Sequence, residues 1–315
     1  MKTKIALVTA GLLFFLCTVA TYGAVIQGKL LDPKGTPLPN LSVKIEAIEI
    51  KPVETVSAVD GTFKFDNLTM KNWKISINDD KWESINLEIR VLSDTETIDH
   101  NLVAWQKLQL SGDLLSSYQK AFESYSAKSY DEAIVEVDKL FQAGQSFYNI
   151  YALKGLIFFE QQKYTDAIPL LKMAVELNPY DISSNQLLAN YAFDKQNYKD
   201  CLPYYEKVLY VNPTNPDLNE QIGDAYYNLK NWEKAVEYYQ NAVKYFGSSS
   251  SVAQAQYGLG ACYINLKKYS EALKAFEAFI IASPNDSRIP KTKMLVEKLK
   301  EAVENDKKKS ENTPK

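Results

Sequence analysis

The chain has 315 residues, enough for two domains that each bury a core. Apolar residues make up 46% and charged residues 24%, a globular balance that excludes a mostly disordered chain. Lys and Arg (36) nearly balance Asp and Glu (39), so no basic excess marks nucleic acid as a ligand, and a single histidine, His100, removes most His-based metal and acid/base sites.

Residues 1–23 have the layout of a secretory signal peptide: basic Lys2 and Lys4, an apolar run from Ile5 to Ala20, then small residues. The 16-residue run spans about 24 Å as a helix, short of a ~30 Å hydrocarbon core, so cleavage is expected rather than a retained anchor. Candidate cleavage sites follow Ala20, Gly23 or Ala24, and the sequence leaves the choice open. Cys17 raises lipid modification, but Phe14-Phe15-Leu16 replaces the small residues a lipoprotein signal carries. Export to a periplasm or cell envelope, or secretion, is the expectation, with no span left in the mature chain. Cleavage leaves Cys201 and Cys262, both at packed positions of the helical pattern described below, where core packing is expected rather than a disulfide.

From 25 to 110 the apolar pattern alternates with period two and predicts strands at 25–31, 41–48, 53–58, 62–65, 73–77, 85–91 and 97–103. Asp60-Gly61 between two such runs predicts a tight hairpin turn, and Pro33, Gly35, Pro37 and Pro39 a stiff loop. Seven short strands in this length point to an antiparallel β-sandwich. Gly28-Lys29-Leu30-Leu31-Asp32, Gly35-Thr36-Pro37-Leu38-Pro39-Asn40, Val43 and Asp60-Gly61-Thr62-Phe63-Lys64-Phe65 resemble the carboxypeptidase regulatory-like (transthyretin-like) sandwich. That resemblance covers about a quarter of the chain and implies an accessory module of an exported protein. It implies no peptidase chemistry, because a zinc site needs three ligands and this segment has one histidine. Asn67-Leu68-Thr69 fits the N-glycosylation triplet, a pattern common by chance.

Ser111-Gly112-Asp113 marks a boundary, after which the pattern is helical through 286. Tyr130, Tyr164, Tyr198, Trp232 and Tyr269 recur at steps of 34, 34, 34 and 37. Each is followed three residues on by Ala133, Ala167, Cys201, Ala235 or Ala272, and Pro179, Pro213, Gly247 and Pro284 stop the second helix of four units. A 34-residue period is the signature of the tetratricopeptide (TPR) repeat, a helix–turn–helix unit. Five repeats are expected over 113–286. Gly155, Ala189, Gly223 and Gly260 mark close contacts on the first helix, helix A, and an aromatic opens helix B. Pro169 and Pro203 are expected within the first turn of helix B, where N–H groups lack partners. Of each pair Tyr204-Tyr205 and Tyr238-Tyr239, one ring is expected in the core. The first repeat is degenerate, with Ser117, Lys120 and Ser124 at expected core positions, which suits a terminal unit packed against the sandwich or a linker. Residues 287–306, with Leu295, Leu299 and Val303 four apart, read as a cap helix, and 307–315, containing Lys307-Lys308-Lys309, as a disordered tail.

In the TPR family, positions 2, 5, 9, 12 and 13 of helix A line a concave groove. The resemblance places there Asn149, Glu160, Ser183, Gln186, Asn190, Phe193 and Asp194, then Asp217, Glu220, Asp224, Tyr227 and Asn228, then Gln254, Tyr257 and Asn265. Five acids and no Lys or Arg face inward in this register. Relatives that clamp a C-terminal carboxylate use Lys, Arg and Asn, and only the Asn190 amide remains, so an acidic tail would meet repulsion. A neutral or basic extended peptide fits instead, with amides pairing its backbone and Phe193, Tyr227 and Tyr257 giving flat contact area. A solvated helix face with rings covering the core accounts for any single one of these residues equally well.

No Walker loop, HExxH, CxxC or nucleophile elbow is present. Gly258-Leu259-Gly260 lies inside a repeat helix and lacks the third glycine of a dinucleotide fingerprint, and Asn78-Asp79-Asp80 lacks the ligand spacing of a calcium loop. No catalytic, cofactor or metal residues are expected. The reading is a non-enzymatic exported scaffold that binds a partner polypeptide in its groove, in assembly or maintenance of a cell-envelope complex. The alternative is a glycan-binding module with its ligand on the sandwich and the repeats as spacer.

Overall fold

The computed structural model describes residues 23–82, 85–105, 107–247 and 252–311. The leader expected at 1–23, with Cys17, lies outside the described residues except for Gly23.

Among the described residues, eight strands form two four-stranded sheets. Strands β1 (Ala24–Leu31), β4 (Thr62–Leu68), β7 (Thr97–Asp99) and β8 (Leu102–Val103) make one; β3 (Ile50–Val56), β2 (Ser42–Ala47), β5 (Asn72–Ile77) and β6 (Asn86–Arg90) make the other, in that order. Alternate residues of both sheets, among them Ile26, Phe63, Phe65, Val43, Ile45, Ile75, Ile77 and Ile89, meet in one buried core. Period-two patterning produces this directly, since successive side chains of a strand point to opposite faces.

The expected antiparallel sandwich is present with one parallel addition: β7 and β8 run parallel to β1. They divide the single strand expected at 97–103. Between them His100 N–H donates to Gln27 O at 2.8 Å, and the Asn101 carboxamide accepts from Lys29 N–H at 2.8 Å. This crossing needs Gly28, where a Cβ would stand 1.8 Å from His100 O. The Asp60-Gly61 turn is tight, with Ala58 N–H donating to Thr62 O at 2.8 Å, but it does not join ladder partners. β3 pairs with β2 and β4 with β1, so the turn carries the chain from one sheet to the other. Gly61 has φ 78°, and a Cβ there would meet Leu30 O at 2.6 Å.

The second region stacks helix pairs: α1 (Gly112–Ser126) with α2 (Tyr130–Gln142), α3 (Tyr148–Glu160) with α4 (Tyr164–Leu177), and α5 (Ile182–Asp194) with α6 (Tyr198–Val211). They are followed by α7 (Pro216–Asn228) with α8 (Trp232–Phe246), α9 (Val252–Asn265) with α10 (Tyr269–Ala282), and α11 (Ile289–Glu311). Each periodic aromatic is the first residue of a helix B, and each predicted stop lies one or two residues past its end. The small residues sit where helices touch. A Cβ on Gly155, Gly223 or Gly260 would approach Leu171, Tyr239 or Phe276 of the paired helix B to 2.8, 2.8 and 2.6 Å. Tyr205 and Tyr239 fill the core, while Tyr204 and Tyr238 are only partly buried. Cys201 and Cys262 are buried free thiols, and burial pushes their pKa values up to about 11 and 12.

Two expectations change in detail, and one is filled in. Pro169 and Pro203 are the sixth residues of α4 and α6, past the free N–H groups, yet both helices run on through them. Each forgoes one bond to the carbonyl four residues earlier. The degenerate first repeat is completed by its own linker: Leu108 and Leu110 pack on the cluster that buries Ala121, Val137 and Leu140. The cap helix continues to Glu311, past the expected end at 306, because its Lys- and Glu-rich sequence contains no breaker before Pro314. Residues 312–315 lie outside the described residues.

The sandwich meets the array at the connections between repeats. The outer edge of β6 would leave backbone groups unpaired, and Thr214, between α6 and α7, takes the place of a strand. Its hydroxyl accepts from Arg90 N–H at 3.0 Å and donates to Glu88 O at 3.3 Å. The Arg90 guanidinium donates to Tyr245 O in the last turn of α8, where helix carbonyls lack partners. Lys244 pairs with Glu96 at 3.2 Å, and the His100 and Tyr210 rings pack 5.2 Å apart.

Candidate functional site

Helices α3, α5, α7 and α9 are the A helices, and α3 neighbours α5 as α7 neighbours α9. The centre of their common surface is a polar strip. On α5, Gln186 donates to Asn190 Oδ1 at 3.1 Å and to Gln221 Oε1 of the next repeat at 3.3 Å. Asn190 Oδ1 also accepts from the Tyr205 hydroxyl at 2.9 Å. The Asn190 oxygen is thus committed to the fold, and its NH₂ remains a donor.

One repeat on, the same geometry recurs with a carboxylate. The Tyr239 hydroxyl donates to Asp224 Oδ1 at 2.5 Å, fifteen residues apart as Tyr205 is from Asn190. Tyr239 is 1% exposed, so Asp224 satisfies a buried phenol. Burial raises the Asp224 pKa, opposed by the Tyr239 bond. In the fifth repeat the pair becomes Ala261 and Phe276, both without polar side chains.

Glu220, one turn before Asp224, is half-buried. Burial, then the charges of Asp224 and Asp217, push its pKa up to about 7, against the pull of Arg288. Glu220 therefore holds its proton far more readily than an ordinary carboxylate does.

Arg288 is the residue missed in the sequence. It lies between α10 and α11, outside the helix-A register, and brings a cation to a surface read as free of Lys and Arg. Asp286 grips it twice, at Nε (2.9 Å) and Nη2 (2.8 Å), and Nη1 donates to Gln254 Oε1 at 2.8 Å. Its guanidinium lies 4.4 Å from the Tyr257 ring centroid and 4.9 Å from that of Phe279. Only the pairing Asp286-Ser287-Arg288, immediately before a helix, hinted at a local clamp.

The structure thus brings together Gln186, Asn190, Glu220, Asp224, Gln254 and Tyr257. Others of the expected set stand apart from this centre. Phe193 packs edge-on against Tyr198 (5.2 Å) and Tyr227 against Trp232 (5.1 Å), as Phe159 does against Tyr164 (5.1 Å). These pairs close the A–B hairpins. Asn228 and Asn265 turn back to cap Asp224 O and Ala261 O in their own helices, at 2.8 and 2.9 Å. Glu160, Ser183 and Asp194 are exposed, and Asn149 is half-buried near the start of α3, whereas Asp217, though exposed, lies close enough to Glu220 for its charge to raise that pKa and belongs to the strip. Among the described residues no group of three or more His, Cys, Asp or Glu is arranged to hold a metal ion, and no helix is long and apolar enough to cross a membrane.

Two family models match the helical region: a tetratricopeptide repeat model over residues 220–287, and the Psidin N-terminal TPR repeats region over 118–248. The array is built of tetratricopeptide repeats. Similar solved structures include MamA AMB-1, 17% identical with TM-score 0.49, matched over 55% of this chain and 93% of that one. MamA MSR-1 is 19% identical with TM-score 0.46, over 54% and 97%. YrrB, described as a TPR protein with an unusual peptide-binding site, is 17% identical with TM-score 0.49, over 55% and 87%. No curated protein matches the chain.

Proposed function

We propose that this chain is a non-enzymatic scaffold whose TPR surface of α5, α7 and α9 holds an extended, neutral or basic segment of a partner polypeptide. The observation that carries this reading is the strip from Gln186 to Tyr257. It combines amide donors, the acids Asp217, Glu220 and Asp224, and a single cation, Arg288, already neutralised by Asp286. Amides can pair with a peptide backbone, and the excess of acids over cations favours a Lys or Arg side chain over a carboxylate. A basic side chain beside Glu220 would replace its proton, so binding and deprotonation are coupled.

The leader-like residues 1–23 support export to a periplasm or cell envelope, where the scaffold would serve assembly or maintenance of an envelope complex. The sandwich, read as carboxypeptidase regulatory-like from the motifs around Gly28, Gly35 and Asp60-Gly61, would hold the array in place along the repeat connections.

The test uses fluorescence anisotropy with two labelled extended peptides of the same length, one bearing two Lys and the other two Glu. The Lys peptide should bind better, and Asp217→Lys with Glu220→Lys should weaken it at least about tenfold, ~1.4 kcal/mol. Asp224 is left intact because Tyr239 depends on it. Equal binding of both peptides, or no effect of the double variant, sinks the reading.

A further inference from the structure

Away from the groove, a cleft of about 200 Å³ opens where the sandwich meets the array. One wall is the segment His100 to Trp105, which follows β7. The other is built at three successive junctions between repeats, from Tyr148 at the start of α3, Asn178 and Tyr180 between α4 and α5, and Tyr210 in the last turn of α6. Neither domain alone encloses it.

The lining is aromatic on both sides. Trp105 and Tyr148 pack edge to face at 6.1 Å. Also in the lining, Tyr210 packs against both Tyr180 (4.9 Å) and His100 (5.2 Å). Flat rings with polar edges offer apolar area and hydrogen bonds together.

Several polar groups of the lining offer donors. The Trp105 indole N–H is buried and has no hydrogen-bond partner among the described residues, an uncommon state for a buried donor. The Asn101 and Asn178 oxygens accept from the backbone N–H groups of Lys29 (2.8 Å) and Tyr180 (3.0 Å), which leaves their NH₂ groups as donors.

The lining carries little free charge. No Lys or Arg is among the described lining residues, and Lys207 lies over Tyr180 at 4.8 Å without entering it. Asp181 is committed to the start of α5, accepting from Ser184 N–H at 2.8 Å. Burial pushes the His100 pKa down to about 4, so its imidazole is neutral near pH 7. Phosphates and carboxylates find no Lys or Arg among these residues.

We propose that this interdomain cleft binds one neutral pyranose ring, its C–H face against the tyrosine and tryptophan rings and a hydroxyl accepting from the Trp105 N–H. A fully aromatic ligand would leave these donors unmatched, whereas sugar hydroxyls meet them. The ring can come from a free monosaccharide or from one unit of a glycan. The site does not depend on the groove, and it differs from a sandwich-only glycan site in needing the repeat connections as well.

The test is saturation-transfer NMR with titration of the full mature chain against glucose, galactose and N-acetylglucosamine, and against maltotriose and chitotriose. At least one should bind with a Kd in the millimolar range, ~−4 kcal/mol. Trp105→Phe keeps the ring but removes the N–H and should weaken binding about fivefold, ~1 kcal/mol. Tyr210→Ala should abolish it, with circular dichroism verifying the fold. The groove variant Asp217→Lys with Glu220→Lys should bind sugar as the parent does, so failure of one proposal is separable from failure of the other. Tighter binding of a trisaccharide identifies a glycan unit as the ligand, and equal binding identifies a free sugar; either supports the cleft. It is overturned if no sugar binds at about 50 mM, well above a millimolar Kd, if Trp105→Phe binds unchanged, or if indole binds and the sugars do not.

Discussion

Glu220 shows how one side chain serves the surface at the expense of the fold. Its pKa of about 7, against an ordinary 4.5, means that the folded protein holds more protons than the unfolded chain between these values. The stability it contributes is present below pH 4.5 and is lost as pH rises through 7. Glu220→Gln should therefore melt higher than the parent at pH 8, by on the order of 2 kcal/mol, and match it at pH 4. Thermal melts at the two pH values check this, and a variant no more stable at pH 8 contradicts the burial of Glu220 beside Asp217 and Asp224. Asp224 differs although it shares the helix face: its carboxylate is the partner of a buried phenol, so its charge is in part a structural requirement.

The A–B turn is the element-scale feature that the periodic pattern did not reveal. Lys128, Gln162, Gln196, Lys230 and Lys267 all have φ between 58° and 61°, each two residues before the aromatic that opens helix B. At Gln196 the N–H donates to Phe193 O (2.8 Å), and Asn197 N–H donates to Ala192 O (2.8 Å), closing the end of α5. Side chains with a Cβ resist this left-handed conformation by about 1–2 kcal/mol. Gln196→Gly should raise stability by up to about 1 kcal/mol, and Gln196→Val should lower it, as read by urea denaturation. The helices themselves were legible because Tyr164, Ala167 and Pro179 stand at spacings that only a hairpin of two packed helices requires. The turn was not, because glycine is the residue that marks this backbone conformation in a sequence, and these five sites carry Lys and Gln instead.

Across the whole molecule, the sandwich and the array share one seam. Thr214 covers the β6 edge and Arg90 anchors to the end of α8, so each domain satisfies backbone groups that the other exposes. Arg90→Ala with Thr214→Val should cost roughly 2–4 kcal/mol for the lost bonds to charged and backbone groups. It should also split a single calorimetric transition into two, one for each domain; one unshifted transition would show that the seam adds no coupling. Arg90 is not readable as an anchor from its strand, where it is simply the last alternating residue. Its partner lies 155 positions away.

The boundary between what each level determined follows from the range of the interactions. Local periodicity alone specified strands from 25 to 103, helix pairs with a 34-residue step, and the residues that pack each hairpin, because period 2 and period 3.6 bury different faces and a fixed repeat demands identical contacts. Gly155 and Gly223 were legible as close contacts for that reason. Tertiary structure alone decided that Asp60-Gly61 crosses between sheets, that β7 and β8 lie parallel to β1, and that Arg288 enters the acidic strip. It likewise brought Trp105 and Tyr210 into one cleft. Each of these joins residues that no period relates, and such pairings are set by how whole elements pack, which a one-dimensional pattern does not encode.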